Sequence, residues 1–196
     1  YKSEYMKIAF NIFLILIIVF LGFMLYKSIQ DPIEFNAEKT KRENAVIQRL
    51  MDVRSSQEIY RLIKGDFAKD FETLISVLQT ARIPILKMVG DKDATDGVFS
   101  VDTTYVNAID SINSLKIVLD SLPFIPYSGG KRFSITAENI EFQKTMVPVL
   151  EVSTVKKDFM GQFGDARYSM YDKSFNPKDV IKFGDLSKPS LAGNWE

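Results

Sequence analysis

The sequence predicts an α+β protein with an N-terminal transmembrane helix, an amphipathic helical stem and a small antiparallel sheet domain. Residues 8–26 carry no charge and are almost all apolar, residues 36–82 show helical periodicity, and after Pro84 the apolar runs shorten while turn residues recur. The 196 residues allow one compact domain plus an appendage. We place a tail and membrane helix at 1–30, the stem at 31–83, the sheet domain at 84–174 and an extended tail packed on it at 175–196.

The predicted membrane helix reads IAFNIFLILIIVFLGFMLY and is bracketed by Lys7 and Lys27. At 1.5 Å per residue it spans about 28 Å, which matches a hydrocarbon core of about 30 Å. A cleaved signal peptide is the alternative, but the apolar run exceeds the usual length of about 7–15 residues and no small-residue cleavage site follows it. We therefore expect a retained single-pass anchor in contact with membrane lipid.

The orientation of the anchor is not decided by a count of its flanking basic residues. Lys2 and Lys7 precede the helix, whereas Lys27, Lys39, Lys41 and Arg42 follow it. A long C-terminal domain, however, crosses a membrane largely regardless of its charge. We expect the N-terminus inside the cell and the domain outside the cytoplasmic membrane.

The stem is predicted as two helices after a break at Asp31-Pro32, because proline disfavours helical geometry in the residue before it. The first stem helix would begin with Asn36 as N-cap and end at Gly65. Its apolar face contains Val46, Leu50, Met51, Val53, Tyr60 and Ile63, opposite Arg49, Asp52, Glu58 and Arg61. Coiled-coil pairing is the alternative, but that seam would contain Gln57 and last under three heptads.

The second stem helix is predicted from residue 71 to about 82, with Asp70 as its cap and Pro84 beyond its end. Its buried side chains would be Leu74, Ile75, Val77, Leu78 and Ala81.

The second half of the chain is predicted to be mostly strand. Candidate strands are residues 85–89, 98–106, 117–119, 132–136 and 147–154, joined by turns such as 127–130. One face of this sheet would pack on the helices. In the tail, the only tryptophan, Trp195, would fill a groove on the domain.

The composition argues against catalysis and against nucleic-acid binding. With no histidine and no cysteine, the chain lacks the commonest general base, the usual zinc ligands and any thiolate nucleophile. Its 25 basic and 25 acidic residues are interleaved, so no basic face is predicted. The pairs Lys131-Arg132 and Lys156-Lys157 are interpreted as solvated charges of turns or strand edges. We expect a non-enzymatic protein without cofactor or metal.

Four segments of the chain contain residue types that also occur in functional sites. The loop that runs from Asp91 to Asp102 has oxygens at alternate positions, but it lacks the glycine and final glutamate of a calcium loop, and we expect a solvated turn. The other three are the carboxylates Glu138 and Glu141, the Ser114 and Lys116 pair, and Gly129-Gly130-Lys131. Spacing alone does not support an active site or a phosphate loop at any of them.

The membrane helix contains a possible contact face for another helix. Asn11 and Gly22 are eleven residues apart, about three turns, and so lie on nearly the same face. An amide in hydrocarbon gains about 0.6–2 kcal/mol from a partner helix, and glycine permits close approach. The alternative is that Asn11 merely reaches the headgroup region.

From the stem onward the chain resembles bacterial pseudopilins and type IV pilin-like proteins over about 80 residues. The matching positions are Ile47, Leu50, Met51, Val53, Arg54, Gln57, Tyr60, Gly65, Phe67, Phe71, Leu74 and Val77. The resemblance implies an apolar helix continuing into an amphipathic one, then a leucine-containing helix and a sheet. The prepilin cleavage site and the glutamate that follows it in that family are not matched, because this region reads MKIAFNI.

The whole chain is also similar to uncharacterised single-pass envelope proteins of Bacteroides-type bacteria. The segments that carry this similarity are VRSSQ, FETLI, VPVLE and GNWE. The resemblance implies an anchor in a Gram-negative inner membrane and a periplasmic domain. It implies no activity.

Together these patterns favour a non-catalytic structural or assembly subunit of a secretion-like or pilus-like envelope machine. Its expected partners are inner-membrane or periplasmic proteins, including further copies of the chain through the membrane helix. A periplasmic ligand-sensing module on the same anchor is the alternative, and it would need a deep apolar pocket. A carboxylate-based hydrolase is the third hypothesis.

Overall fold

The computed structural model describes residues 2–89 and 100–196 and has the predicted α+β class. A long N-terminal helix is followed by a short helix and two small antiparallel sheets. The elements are α1 (Lys2–Lys64), α2 (Phe71–Thr80), β1 (Arg82–Val89), β2 (Ser100–Asn107), α3 (Ala108–Ser114), β3 (Ser134–Phe142), β4 (Thr145–Val155), α4 (Lys156–Met160) and β5 (Val180–Gly184). Single 3₁₀ turns lie at Leu119–Ser121, Gly161–Phe163 and Ala166–Met170.

Helix α1 is continuous, so the predicted break at Asp31-Pro32 is wrong. Proline removes one helical hydrogen bond, a local cost of about 3 kcal/mol. This cost is offset because Phe35, one turn later, is completely buried in the domain and holds the chain in helical register. Asn36 is not an N-cap but lies inside the helix, where its side-chain amide donates to the Pro32 carbonyl at 2.9 Å.

The C-terminal half of α1 is enclosed by the domain. Of the predicted apolar face, Val46, Leu50, Val53 and Tyr60 are buried, whereas Met51 is exposed. Two polar residues that were not predicted to be buried, Ser56 and Gln57, are inaccessible to solvent. At 100° per residue the buried positions fall on one face of the helix, so Ser56 and Gln57 extend the predicted apolar face with polar side chains, and Met51 lies outside it.

The two predicted helix ends near Gly65 are confirmed. Gly65 has a left-handed φ of 84°, and its N–H donates to the Arg61 carbonyl at 2.8 Å. Asp70 caps α2 by accepting the Thr73 N–H at 2.7 Å. Helix α2 ends at Thr80, two residues before the prediction, and buries Phe71, Leu74 and Leu78.

The strands form two separate sheets rather than one. Strands β1 and β2 pair as an antiparallel ribbon, and β3, β4 and β5 form a second antiparallel sheet with β4 in its centre. Representative pairs in the second sheet are Ala137 with Leu150 and Val152 with Phe183. Because β4 lies between two neighbours, its Leu150 and Val152 are fully buried against the helices.

One predicted strand is wrong, and the tail, predicted to be extended, contains one further strand. Residues 117–119 form a loop that leads into a 3₁₀ turn, and the preceding residues form helix α3, because Ala108 and Ile112 are buried one helical turn apart. The tail contributes strand β5. Gly184 ends this strand with φ +85°, at a point where a Cβ atom would lie 1.9 Å from the Leu150 carbonyl oxygen.

A buried amide ties the end of α1 to the segment that follows it. The Gln57 Nε2 donates to the Ala68 carbonyl at 3.1 Å, and the Ala68 N–H donates to Gln57 Oε1 at 2.9 Å. Both residues are almost inaccessible to solvent. The side chain thus satisfies two main-chain groups where the chain leaves α1 and turns toward α2.

Gln57→Leu is expected to lower the free energy of unfolding by about 2–4 kcal/mol, because both Ala68 groups would stay buried without partners. The measurement is urea unfolding of the full chain in detergent micelles, followed by Trp195 fluorescence. Gln48→Leu is the matched control, because Gln48 is exposed and bonds only Asp52 one turn away. Equal stability of the two variants would contradict this role.

Candidate functional site

The N-terminal part of α1 is a helix long and apolar enough to span a membrane. Its apolar side chains are exposed throughout, and the stretch packs against no other part of the described chain. An exposed apolar surface of this length is costly in water, so it is compatible with a transmembrane anchor. Asn11 and Gly22 are both exposed on this segment, and a Cβ atom at Gly22 would meet nothing within 4 Å.

A row of polar contacts fastens the stem part of α1 to the domain. At the N-terminal end of the stem, the Lys39 ammonium pairs with Asp172. One turn later, the Arg42 guanidinium donates to the Phe159 carbonyl at 3.0 Å. Further contacts are Glu43 with Lys156 at 3.1 Å, Arg49 with the Ser121 carbonyl and Arg54 with Glu196 at 2.6 Å. These contacts come from many turns of one helix, so they oppose both sliding and rotation of the stem.

An aromatic cluster around Phe35 joins α1 to the end of the domain that lies nearest the apolar run. The Phe35 ring stacks on Tyr168 with centroids 5.3 Å apart and planes 6° from parallel. Phe175 and Phe163 contact the same ring edge-on, at 5.1 and 6.0 Å. Such pairs add about 0.5–1.5 kcal/mol each beyond area burial. The residues 162–171, named here the base segment, are thereby held beside the first turns of α1 that follow the apolar run.

A cavity of about 370 Å³ lies between the base segment and α1. Its α1 side is formed by Lys27, Asp31 and Glu34, and its base-segment side includes Arg167 and Met170. The remaining lining residues are Gln162, Phe163, Tyr168 and Tyr171. Lys27 directly follows the apolar run, so this cavity lies where the helix would leave a bilayer. It is the candidate site.

The carboxylates that face the stem are held in their charged form. The pKa of Asp172 is well below its usual range, because Lys39 and the Ser174 hydroxyl donate hydrogen bonds to it. The Arg42 side chain lowers the pKa of Glu38 in the same way, and Arg54 lowers that of Glu196. Asp172 and Glu196 therefore stabilise the contact between stem and domain near neutral pH, whereas Glu38 pairs within α1.

The carboxylates of Glu138 and Glu141, which are expected from the sequence to be surface charges, do not converge in the structure. Glu138 and Glu141 are both exposed on β3, and their odd spacing directs them to opposite faces of the strand. Ser114 donates to the Ser111 carbonyl at 2.7 Å, and Ser114 and Lys116 are both exposed at the end of α3. These residues make local contacts in the structure and share no cleft.

The segment Gly129-Gly130-Lys131 forms a turn, as predicted. Both glycines have positive φ, and the Lys131 ammonium pairs with Asp158 at 2.5 Å. The solvated interpretation of Lys156 is wrong, because this side chain is only 19% exposed and pairs with Glu43. Its partner lies more than one hundred residues away in sequence, so no local pattern could reveal it.

The possible calcium loop from Asp91 to Asp102 lies outside the residues whose side chains are described. Within residues 2–89 and 100–196, no group of three or more acidic side chains is placed to hold a metal ion. The base segment was missed at the sequence level. Its signal was the density of aromatic residues between Phe159 and Phe175, which reflects packing against α1.

The stem contact is expected to weaken in acid. Because the pKa of Asp172 is lowered in the folded state, Asp172 stabilises the fold at pH values above the ordinary aspartate pKa of 3.8. This stabilisation is lost as the pH falls below 3.8. Asp172→Asn should therefore reduce stability by about 1 kcal/mol at neutral pH and flatten the loss of stability as the pH falls from about 5 to about 2.

The measurement is urea unfolding of the full chain in micelles at several pH values. Asp120→Asn is the control, because Asp120 is exposed and its carboxylate forms no ion pair with any residue that the structure describes. A pH profile of Asp172→Asn that matched the parent chain would contradict the assignment.

Comparisons of the chain with protein-family models, with curated proteins and with solved structures found no match.

Proposed function

We propose that this protein is a non-catalytic, membrane-anchored subunit that serves assembly or structure in a secretion-like or pilus-like machine of the cell envelope. One apolar helix would cross the inner membrane and present the domain to the periplasm. The observation that carries this proposal is the continuity of α1, which runs without interruption from the apolar segment to Lys64 in the domain.

A continuous helix transmits position and rotation from one end to the other. Because the stem is packed by Val46, Leu50 and Val53 and fastened by ion pairs over several turns, a movement of the apolar end would move the whole domain. This mechanical coupling suits a subunit whose task is to place a domain at a defined height and orientation. A flexible tether would suit a freely moving binding module better.

The continuous helix also supports the pilin-like part of the proposal. The pilin-like pattern places an apolar helix and an amphipathic helix in one uninterrupted rod with the sheet packed on its second half. In this chain, α1 contacts α2, β1, β5 and α4 through its C-terminal half, while the apolar half is bare. The proposal further assigns the face of Asn11 and Gly22 to a partner helix in the membrane.

The proposed topology predicts opposite labelling of the two ends of the chain. Because the chain has no cysteine, Lys178→Cys on the domain and Tyr5→Cys before the apolar run each introduce a single thiol. Both positions are exposed. In spheroplasts of an expressing Gram-negative host, a membrane-impermeant maleimide should label Lys178→Cys and leave Tyr5→Cys unlabelled until the membrane is opened. The reverse pattern would place the domain in the cytoplasm.

Asn11→Leu is expected to weaken association in the membrane by about 0.6–2 kcal/mol, through loss of one hydrogen bond between helices. The measurement is native electrophoresis of the complex extracted in mild detergent. Phe13→Leu is the control, because residue 13 lies on the opposite side of the helix at about 100° per residue. Complexes of unchanged size and stability in Asn11→Leu would remove this face from the proposal.

A further inference from the structure

We propose that the base segment and the adjoining turns of α1 form a seat on the bilayer surface, in which the cavity takes the headgroup of a phosphatidylethanolamine lipid. The proposal rests on the membrane anchoring proposed above, because α1 must cross the bilayer for the cavity to meet its surface. It adds a lipid-binding role for residues of the domain.

The position of the cavity along α1 is the first argument. The headgroup layer is about 5–8 Å thick on each side of the hydrocarbon core. Lys27 follows the last residue of the apolar run, and Asp31 and Glu34 lie about 8 and 12 Å beyond that residue at 1.5 Å per residue. All three line the cavity together with Arg167 and Met170. The part of the cavity at Lys27 and Asp31 therefore lies at the level of the headgroups, and the part at Glu34 lies just beyond them.

The second argument is the set of charges in the cavity. Above it, Lys39, Arg42 and Glu43 each pair with a carboxylate or an ammonium group. Within the described part of the chain, by contrast, Lys27, Asp31, Glu34 and Arg167 form no ion pair. The Arg167 guanidinium lies 4.9 Å from the ring centroid of Tyr168 and donates to its hydroxyl at 3.3 Å, while the Arg167 main-chain N–H donates to the Asp165 carboxylate at 2.9 Å.

Two cations and two carboxylates in one cavity match a zwitterionic headgroup. Lys27 and Arg167 provide donors for the lipid phosphate, and Asp31 and Glu34 provide acceptors for a primary ammonium group. Ethanolamine carries N–H donors, whereas choline carries none, so the carboxylates favour the ethanolamine lipid. A volume of about 370 Å³ is within the range of ordinary small-molecule sites, which begins near 300 Å³.

The third argument is the apolar part of the seat. Met170 is 76% exposed at the rim of the cavity, beside Tyr168 and Tyr171. Tyrosine is enriched where proteins meet the boundary between headgroups and acyl chains, and a flexible methionine can enter that boundary. The anchor keeps the seat close to the surface, so even weak contacts suffice to hold it there.

The test uses single cysteines, each labelled with a nitrobenzoxadiazole fluorophore, in full-length chains reconstituted into vesicles. Met170→Cys reports the seat, Val19→Cys reports the anchor, and Met146→Cys is the matched exposed methionine at the far end of the domain. Met146 lies two residues before Pro148 in the sequence. Pro148 lines a groove together with Asp66, which follows the C-terminal end of α1. Quenching is measured with nitroxide lipids that carry the spin label on the headgroup or on the acyl chain.

In vesicles of phosphatidylethanolamine and phosphatidylglycerol, the label at Met170→Cys is expected to be quenched by headgroup nitroxides, that at Val19→Cys by acyl-chain nitroxides and that at Met146→Cys by neither. When Arg167→Gln is added to Met170→Cys, the fraction of molecules whose label is quenched by headgroup nitroxides should fall about fivefold, because one cation near the bilayer surface is lost. Lys69→Gln, which removes an exposed cation near Asp66, should leave quenching unchanged. Replacing phosphatidylethanolamine by phosphatidylcholine should also reduce it.

Two results would overturn the seat while leaving the anchor intact. One is quenching at Val19→Cys without quenching at Met170→Cys. The other is equal quenching at Met170→Cys in phosphatidylethanolamine and phosphatidylcholine vesicles, which would remove the headgroup assignment. Absence of acyl-chain quenching at Val19→Cys would instead overturn the proposed membrane anchoring itself.

Discussion

The packing of Phe35 against the base segment and Phe175 is the interaction on which the rest of the architecture depends. It lies one turn after Pro32, where the helix lacks a hydrogen bond, and it completely buries the ring. Without this anchor point, the proline would be the natural place for the rod to bend. With it, the apolar segment and the stem form one helix, and the orientation of the domain follows that of the membrane helix.

The ion pairs of the stem hold α1 against the domain along the turns that follow Phe35. Lys39, Glu43 and Arg54 reach partners that are more than one hundred residues away in sequence, on the α4 region, the base of the domain and the C-terminal tail. Partly exposed pairs of this kind are worth little singly. Their spacing along several turns nevertheless specifies one register between helix and domain. Within the described residues, Lys27, Asp31 and Glu34 of the cavity form no ion pair, which distinguishes them from Lys39, Glu43 and Arg54.

The candidate site was beyond local sequence reasoning. Lys27, Asp31 and Glu34 are ordinary flanking charges when considered alone, and Arg167 and Met170 belong to an irregular segment with no recognisable motif. Only the docking of that segment on α1 makes them neighbours. The residues that the sequence singled out, such as Glu138 with Glu141, share a stretch of chain without sharing a cleft. Proximity in sequence is a poor guide to a site that is built from two distant segments.

Features that depend on local composition and backbone chemistry could be predicted directly from the amino-acid sequence. These are the α+β class, the apolar run of membrane-spanning length, the left-handed end of α1 at Gly65 and the Asp70 cap. Contacts between distant segments set the continuity of the helix through Pro32, the division of the strands into two sheets, the burial of Gln57 and the pairing of Lys156 with Glu43. The reason is energetic: a cap or a glycine stop is complete within one turn of chain, whereas the cost of a proline or of a buried polar group is met only by contacts with residues distant in sequence.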